Sequence, residues 1–214
     1  MQLARYGTLS RARHIVNIVS DRYYLHMTSI NDDANEIAEL ILQIGRAAYA
    51  DQARSGLTQA QWIALRYFAR ANRFSRTVSG FAEFHATTRG TASQTIKSLV
   101  RHGYLTRQPS ERDGRSVQFD LTPMARRKLA DDPLENVVSA AAALSAVQRE
   151  ATVASLRAVL TDVQRINHGE SFGICHLCGH LQADEGAGGR CGLMRESLAV
   201  GELGQLCTRF QAQP

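Results

Sequence analysis

The sequence predicts a mainly α fold with a small β-wing, and three observations lead there. Apolar residues recur at helical spacing over most of residues 31–168. The stretch "YLTRQPSERDGRSVQFDLT" places Asp-Gly between two extended runs, a strong hairpin signal. All four cysteines fall in a glycine-laden tail beyond the last helical pattern. A chain of 214 residues, 44% hydrophobic and 21% charged, is large enough for one sizeable core plus an appendage.

Each element has its own signature. Residues 1–30 form an N-terminal extension with no clear period, and Met27, just ahead of the capping stretch "TSINDD", is a candidate for the biological start. Ile37, Leu40, Ile41, Ile44 and Ala48 share one face, so roughly 32–55 is an amphipathic helix ending near Gly56. Thr58 with Gln61 three residues on is a capping-box pattern, opening a second helix that turns Trp62, Leu65 and Phe68 inward. "TVSGFAEFHATTRGTASQTIKSLVRHGYL" then gives two short helices around a polar turn at about 86–88, the second closed by Gly103 in the left-handed conformation. After the hairpin, Thr122 caps a helix with Pro123 in its first turn. From 133 to about 168 the chain is rich in Ala, Val and Leu at helical spacing, with a restart at Ser145 and Gln148. No internal repeat is visible. The expected division is an extension over 1–30, a first helix over 31–56, a compact domain over 57–131, long helices over 132–169 and a cysteine-rich module over 170–214.

Helix, helix, short turn, helix, hairpin is the layout of a winged helix-turn-helix. Charge agrees with that layout. The net charge is +5 and the pI about 9.3, and between Arg66 and Arg127 twelve Lys or Arg stand against four Asp or Glu. A helix of about 14 residues fits the ~12 Å major groove of duplex DNA. On the second short helix Arg89, Thr91, Ser93, Gln94, Lys97 and Arg101 make a polar face, with Ala92, Ile96, Leu99 and Val100 opposite. Arg112, Asp113 and Arg115 stand at the tip of the hairpin. The bland reading of such faces is a solvated surface, but basic helix and basic hairpin together favour double-stranded DNA as partner. Trp62 and Phe68 read as core, and His85 and His102 as structural. No "GxSxG" elbow or other nucleophile arrangement is present, so the chain is not expected to be an enzyme.

The segments "LTQAQWIALRYFAR", "TRGTASQTIKSLVRHGYLTRQPSERDGRSVQFDLTPMARRKL" and "LSAVQREATVASLRAVL" resemble the multiple antibiotic resistance regulator (MarR) family, over about residues 32–168. The resemblance implies a homodimer in which the first helix and the final long helices pair with their counterparts, and which binds a pseudo-palindromic operator. It also implies that Asp113 positions Arg115 for the minor groove. The family usually has Asp-Arg-Arg at this point. Gly114 stands between Asp113 and Arg115 here, which removes one possible phosphate contact.

The tail spaces Cys175-x2-Cys178-x12-Cys191-x15-Cys207 among many glycines, with too few large side chains for an independent core. Four thiolates closing one metal site supply the missing cross-link. Zinc and iron-sulfur chemistry both accept four thiolates, and spacing alone does not choose between them. "CHLCGHL…GRCGLMRESLAVGELGQLCTRF" is similar to small cluster modules of some glycyl-radical enzyme subunits and of related high-potential iron-sulfur folds. That similarity implies a 4Fe-4S cluster held by Cys175, Cys178, Cys191 and Cys207. His176 and His180 read as neighbours of the site, with Leu177, Leu181, Leu193 and Leu198 as shields for the sulfides or as contacts with the long helices. A brief apolar run without a cleavage site argues against a signal peptide, and no stretch reaches the roughly 18 apolar residues of a membrane span. The expectation is a cytoplasmic regulator with no membrane role. In it the tail packs on the helices joining the subunits and senses redox or cluster status. A structural zinc site with a small-molecule effector, and an electron-transfer or enzyme-accessory protein on a winged scaffold, remain as alternatives.

Overall fold

A computed structural model describes residues 32–49, 56–109, 117–166, 172–184 and 188–213. The chain divides into two compact units, residues 1–47 and 48–214. Within the first, α1 (Asp32–Ala47) is amphipathic, with Asp32 and Asp33 in its first turn and Arg46 in its last, both signs suited to the helix dipole. It is shorter than its periodicity suggests, and residues 50–55 of the expected helix lie outside the described residues.

The second unit opens with α2 (Gln59–Arg70), started by the capping box that Thr58 and Gln61 announce: Thr58 N–H donates to Gln61 Oε1 at 2.8 Å, and Gln61 N–H to Thr58 Oγ1 at 3.3 Å. Trp62, Leu65 and Phe68 point inward and are fully buried. α3 (Val78–Phe84) and α4 (Arg89–Arg101) are capped by Thr77 and Thr88. Between them Ala86 takes φ 47°, a left-handed turn residue that carries a Cβ. Gly103, at φ 74°, ends α4 as its sequence predicts. The hairpin of β1 (Leu105–Pro109) and β2 (Val117–Leu121) pairs antiparallel, Leu105 with Leu121 and Pro109 with Val117. α5 (Pro123–Leu129) follows with Thr122 as its cap and Pro123 in its first turn.

These elements close over one core, in which Trp62, Tyr67, Phe68 and Phe81 meet Ile96, Leu99, Leu105 and Phe119. Aromatic edges lock it: Tyr67 and Phe68 lie 5.2 Å apart in a T-shaped pair, and Phe68 meets Phe119 at 6.0 Å. Arg66 fastens the exit from this head, bidentate to Asp132 at 2.6 and 2.8 Å and bonded to the Tyr49 hydroxyl at 2.6 Å. Beyond it come α6 (Glu135–Ala142) and α7 (Ala146–Ile166). Ser145 and Gln148 exchange the bonds of a capping box, as read from the sequence.

The tail carries more regular structure than its glycines suggest. β3 (Gly173–Ile174) pairs with β7 (Leu206–Cys207), and β4 (Leu181–Asp184), β5 (Gly188–Cys191) and β6 (Glu196–Ala199) form an antiparallel sheet, followed by the short α8 (Val200–Leu203). Its large apolar side chains are few, and it draws on the head to bury them. Cys175, Leu198 and Cys207 are buried together, with Leu181, Leu203 and Phe210 around them and Phe74 lent by the head, while Leu206 joins the head's own core. Thiols make up much of this small nucleus.

A candidate nucleic-acid interface beside a four-thiol pocket

Helix α4 presents the polar face that the sequence marks. Arg89, Thr91, Gln94, Lys97 and Arg101 are exposed, and Ala92, Ile96 and Leu99 are buried beneath them. Ser93 is half-buried where the others are exposed. Among the described residues Arg89, Lys97 and Arg101 enter no ion pair, whereas Arg66, Arg73 and Arg76 each hold a carboxylate. The cations of α4 therefore face solvent while those beneath the head are already neutralised. Thr91 also supports the helix start, its N–H donating to Thr88 Oγ1 at 3.2 Å. Arg112, Asp113 and Arg115 lie outside the described residues, but the strands that carry the wing tip are in place.

The two flanking histidines are structural. His85 stacks on Phe81 at 5.5 Å, and its burial pushes its pKa below the ordinary 6.5. His102 caps α4, its Nδ1 2.8 Å from the carbonyl of Ser98.

Residues 55–116 match the model of the MarR family. The MarR-like fold extends further in solved structures. The Staphylococcus aureus MepR–DNA complex is 17% identical with a TM-score of 0.53, over 64% of this chain and 100% of MepR. The transcriptional regulator PA3341 is 20% identical with a TM-score of 0.53, over 62% of this chain and 98% of that one. A MarR family regulator from Silicibacter pomeroyi is 17% identical with a TM-score of 0.50, over 62% and 90%. Likeness at these identities establishes the winged-helix fold of MarR type. No curated protein matches this sequence.

Cys175, Cys178, Cys191 and Cys207 line one pocket, and none is in a disulfide. Cys175, Cys178 and Cys207 are buried and Cys191 half-buried. Leu181, Leu193 and Leu198 also line it, as expected of shielding residues, whereas Leu177 does not and is exposed. His180 borders the pocket; His176 is exposed, its Nδ1 3.3 Å from the carbonyl of Leu203.

N–H groups point at three of the sulfurs. Asn72 Nδ2 lies 3.5 Å from Cys175 Sγ, the Met194 N–H 3.4 Å from Cys191 Sγ and the Arg209 N–H 3.4 Å from Cys207 Sγ. Such donors favour thiolate. Cys175 and Cys207 share one proton between two buried thiols, which holds Cys207 below the ordinary thiol range, with help from the N–H of Arg209, and Cys175 above it. Among the described residues no three His, Cys, Asp or Glu groups converge closely enough to hold a single ion as placed. The sulfurs ring a shared space instead of meeting at one point. Four soft donors, N–H groups aimed at three of them and an apolar lining are the chemistry of this pocket.

Among the described residues the tail is bonded to the head. The Asn72 N–H donates to the carbonyl of Leu206 at 2.8 Å, Arg73 pairs with Glu202 at 2.9 Å, and Phe172 packs edge-on against Phe84 at 4.9 Å. Periodicity gives no sign of this, because the residues involved lie in a turn and at the end of a short helix.

Proposed function

We propose that this protein is a homodimeric DNA-binding transcriptional regulator of the MarR type, not an enzyme. The carrying observation is the exposed, unneutralised row Arg89, Lys97 and Arg101 with Thr91 and Gln94 on α4, beside a wing hairpin. Cations on such a helix meet phosphate, and Thr91, Gln94 and the wing meet base edges. MepR, a protein of the same fold, was solved on DNA, which supports duplex as the ligand.

Homodimerisation is supported by apolar side chains left in solvent. Ile37, Leu40, Ile41 and Ile44 line α1, and Val153, Leu156, Leu160 and Val163 recur at helical spacing along α7. Two apolar helix faces of this kind are stabilised by burial in a partner. A symmetric pair then sets its α4 helices roughly 34 Å apart, one turn of duplex. No helix among the described residues is long and apolar enough to cross a membrane.

The tail is read as the sensing element. Cys175, Cys178, Cys191 and Cys207 are the ligands of a 4Fe-4S cluster, with the N–H of Met194 and Arg209 and the amide of Asn72 hydrogen-bonded to its sulfur ligands. Such a cluster supplies one-electron chemistry or lability to oxidants, and the protein's part is to bury and hydrogen-bond it.

Two measurements test the reading. Duplexes selected from a random pool by the purified protein are titrated at several salt concentrations. Lys97→Ala weakens binding to all of them and reduces the slope of log K against log salt by about 1. A slope near zero, or an unaltered one in the variant, refutes the DNA reading. Anaerobic isolation yields a brown protein with iron and acid-labile sulfide. A colourless protein with one zinc per chain replaces the cluster by a structural zinc site, and one with no metal removes the metal reading altogether.

A further inference from the structure

Only three polar residues are buried among the described residues, Asn72, Ser75 and Thr208, and all three lie where the cysteine module meets the head. They are joined to one another. Asn72 Oδ1 accepts the Ser75 N–H at 3.0 Å, which turns the Asn72 amide nitrogen toward Cys175. Ser75 Oγ accepts the N–H of Thr208, next to Cys207, at 3.0 Å, and the Ser75 carbonyl accepts the Tyr67 hydroxyl at 2.5 Å. Burial holds that phenol well above its ordinary pKa, so it stays a donor.

The same six residues, 71–76, are bonded on their other side to the wing. The Arg73 carbonyl accepts from Gln118 Nε2 at 2.8 Å, the Arg76 carbonyl from the Phe119 N–H at 2.9 Å, and the Arg76 guanidinium pairs with Asp120 at 2.7 Å. Arg73 itself reaches into the module, to Glu202 and to the carbonyl of Ser197 at 2.6 Å. Thr77, the next residue, caps α3, and α3 packs on α4. One strap thus bonds the Cys175 thiol through Asn72, the backbone of Thr208 beside Cys207 through Ser75, and also the strand that carries the wing.

We infer that segment 71–76 relays the state of the four-thiol pocket to the wing and the α3–α4 reader within a single subunit, with Asn72 as the positioning residue. The inference rests on the reading of the tail as a sensing element. A joint made only to hold two parts together is stable when apolar, whereas a buried polar joint leaves donors and acceptors unpaired whenever one partner moves. Movement of Cys175 or Cys207, on metal binding, loss or oxidation, leaves Asn72 and Ser75 with such unpaired groups unless the strap follows. The strap can follow only by dragging Arg73 and Arg76, and with them β2. Control then acts on the wing relative to α4 in each head.

Amide hydrogen exchange of the full-length protein tests the relay. Wild type as isolated is compared with wild type after chelator treatment, and with Cys178→Ser, which alters the pocket at a cysteine bridged to Ala212 and away from the strap. Both perturbations speed exchange about tenfold at 71–76 and 117–121 and leave 146–166 unchanged. In Asn72→Ala, 117–121 exchanges equally with and without chelator, and Asn72→Gln, which keeps the amide, regains part of the difference. The relay is overturned if exchange changes only within 172–213, or changes in 146–166 instead of 117–121. If the isolated protein holds no metal, the cluster reading fails, yet the Cys178→Ser comparison still decides the relay.

Discussion

Leu206→Ala is the sharpest probe of the joint between tail and head. Leu206 is only 5% exposed and belongs to the same core as Trp62 and Phe68, although it lies on the last strand of the cysteine module. Its backbone bonds, the parallel bridge to Ala71 and the acceptance of the Asn72 N–H, do not depend on the side chain. The substitution therefore isolates packing. Truncating a buried Leu costs about 2–5 kcal/mol, and about 3 kcal/mol is reasonable where the cavity opens at a seam that can partly relax. With a urea slope of about 2 kcal/mol/M, the unfolding midpoint falls by about 1.5 M. The assay is built into the chain: Trp62 is its one tryptophan and is wholly buried in the head, so its fluorescence follows the head alone. Leu177→Ala, in the same module but 51% exposed, shifts the midpoint by less than about 0.3 M. If Leu206→Ala leaves the Trp62-detected midpoint where it was, the tail does not share the head's core and the packing account is wrong.

Two further outcomes follow from the same geometry. A Cβ added at Gly80 meets the Ser75 carbonyl and the Tyr67 hydroxyl, both at 2.5 Å, so Gly80→Ala destabilises the head by about 1–3 kcal/mol, measured by the same urea titration; an unchanged midpoint refutes the close approach of α3 to the strap. His85 has a folded-state pKa below its unfolded value of 6.5, so the unfolded chain takes the proton first. The stability this imbedded neutral ring contributes is present above that value and is lost as pH falls through the folded pKa. Replacing it by His85→Phe, which keeps the stack on Phe81, flattens the fall in unfolding midpoint between about pH 8 and about pH 5; parallel curves for the two proteins refute it.

Much of the head was legible because its signals are local. Thr58 with Gln61, Thr122 with Pro123, Ser145 with Gln148, and Gly103 after α4 each act within a few residues, and each is found in its expected role. Burial of Ala92, Ile96 and Leu99 beneath the α4 cations follows from a helical period alone. What the sequence withheld is long-range. Asn72 and Ser75 look like residues of a solvated turn, and their bonds to partners more than 100 positions away, Cys175 at a separation of 103 and Thr208 at 133, leave no local signal. The strands β4, β5 and β6 are only 4 residues long, and β5 opens on two glycines, too little to show alternation. Ser93 lies at the border between the two faces of the helical wheel and is half-buried.

Because Leu206 and Thr208 finish a core and a polar seam begun at Trp62 and Ser75, the reading head is not complete when its own residues leave the ribosome. At translation rates of about 5–20 residues per second, the 133 positions between Ser75 and Thr208 take on the order of 10 s to emerge. Throughout that interval Asn72 and Ser75 stand in water, and the nascent head lacks its last apolar contact. Chains cut short before residue 206 thus carry a head whose apolar core and polar seam are both unfinished.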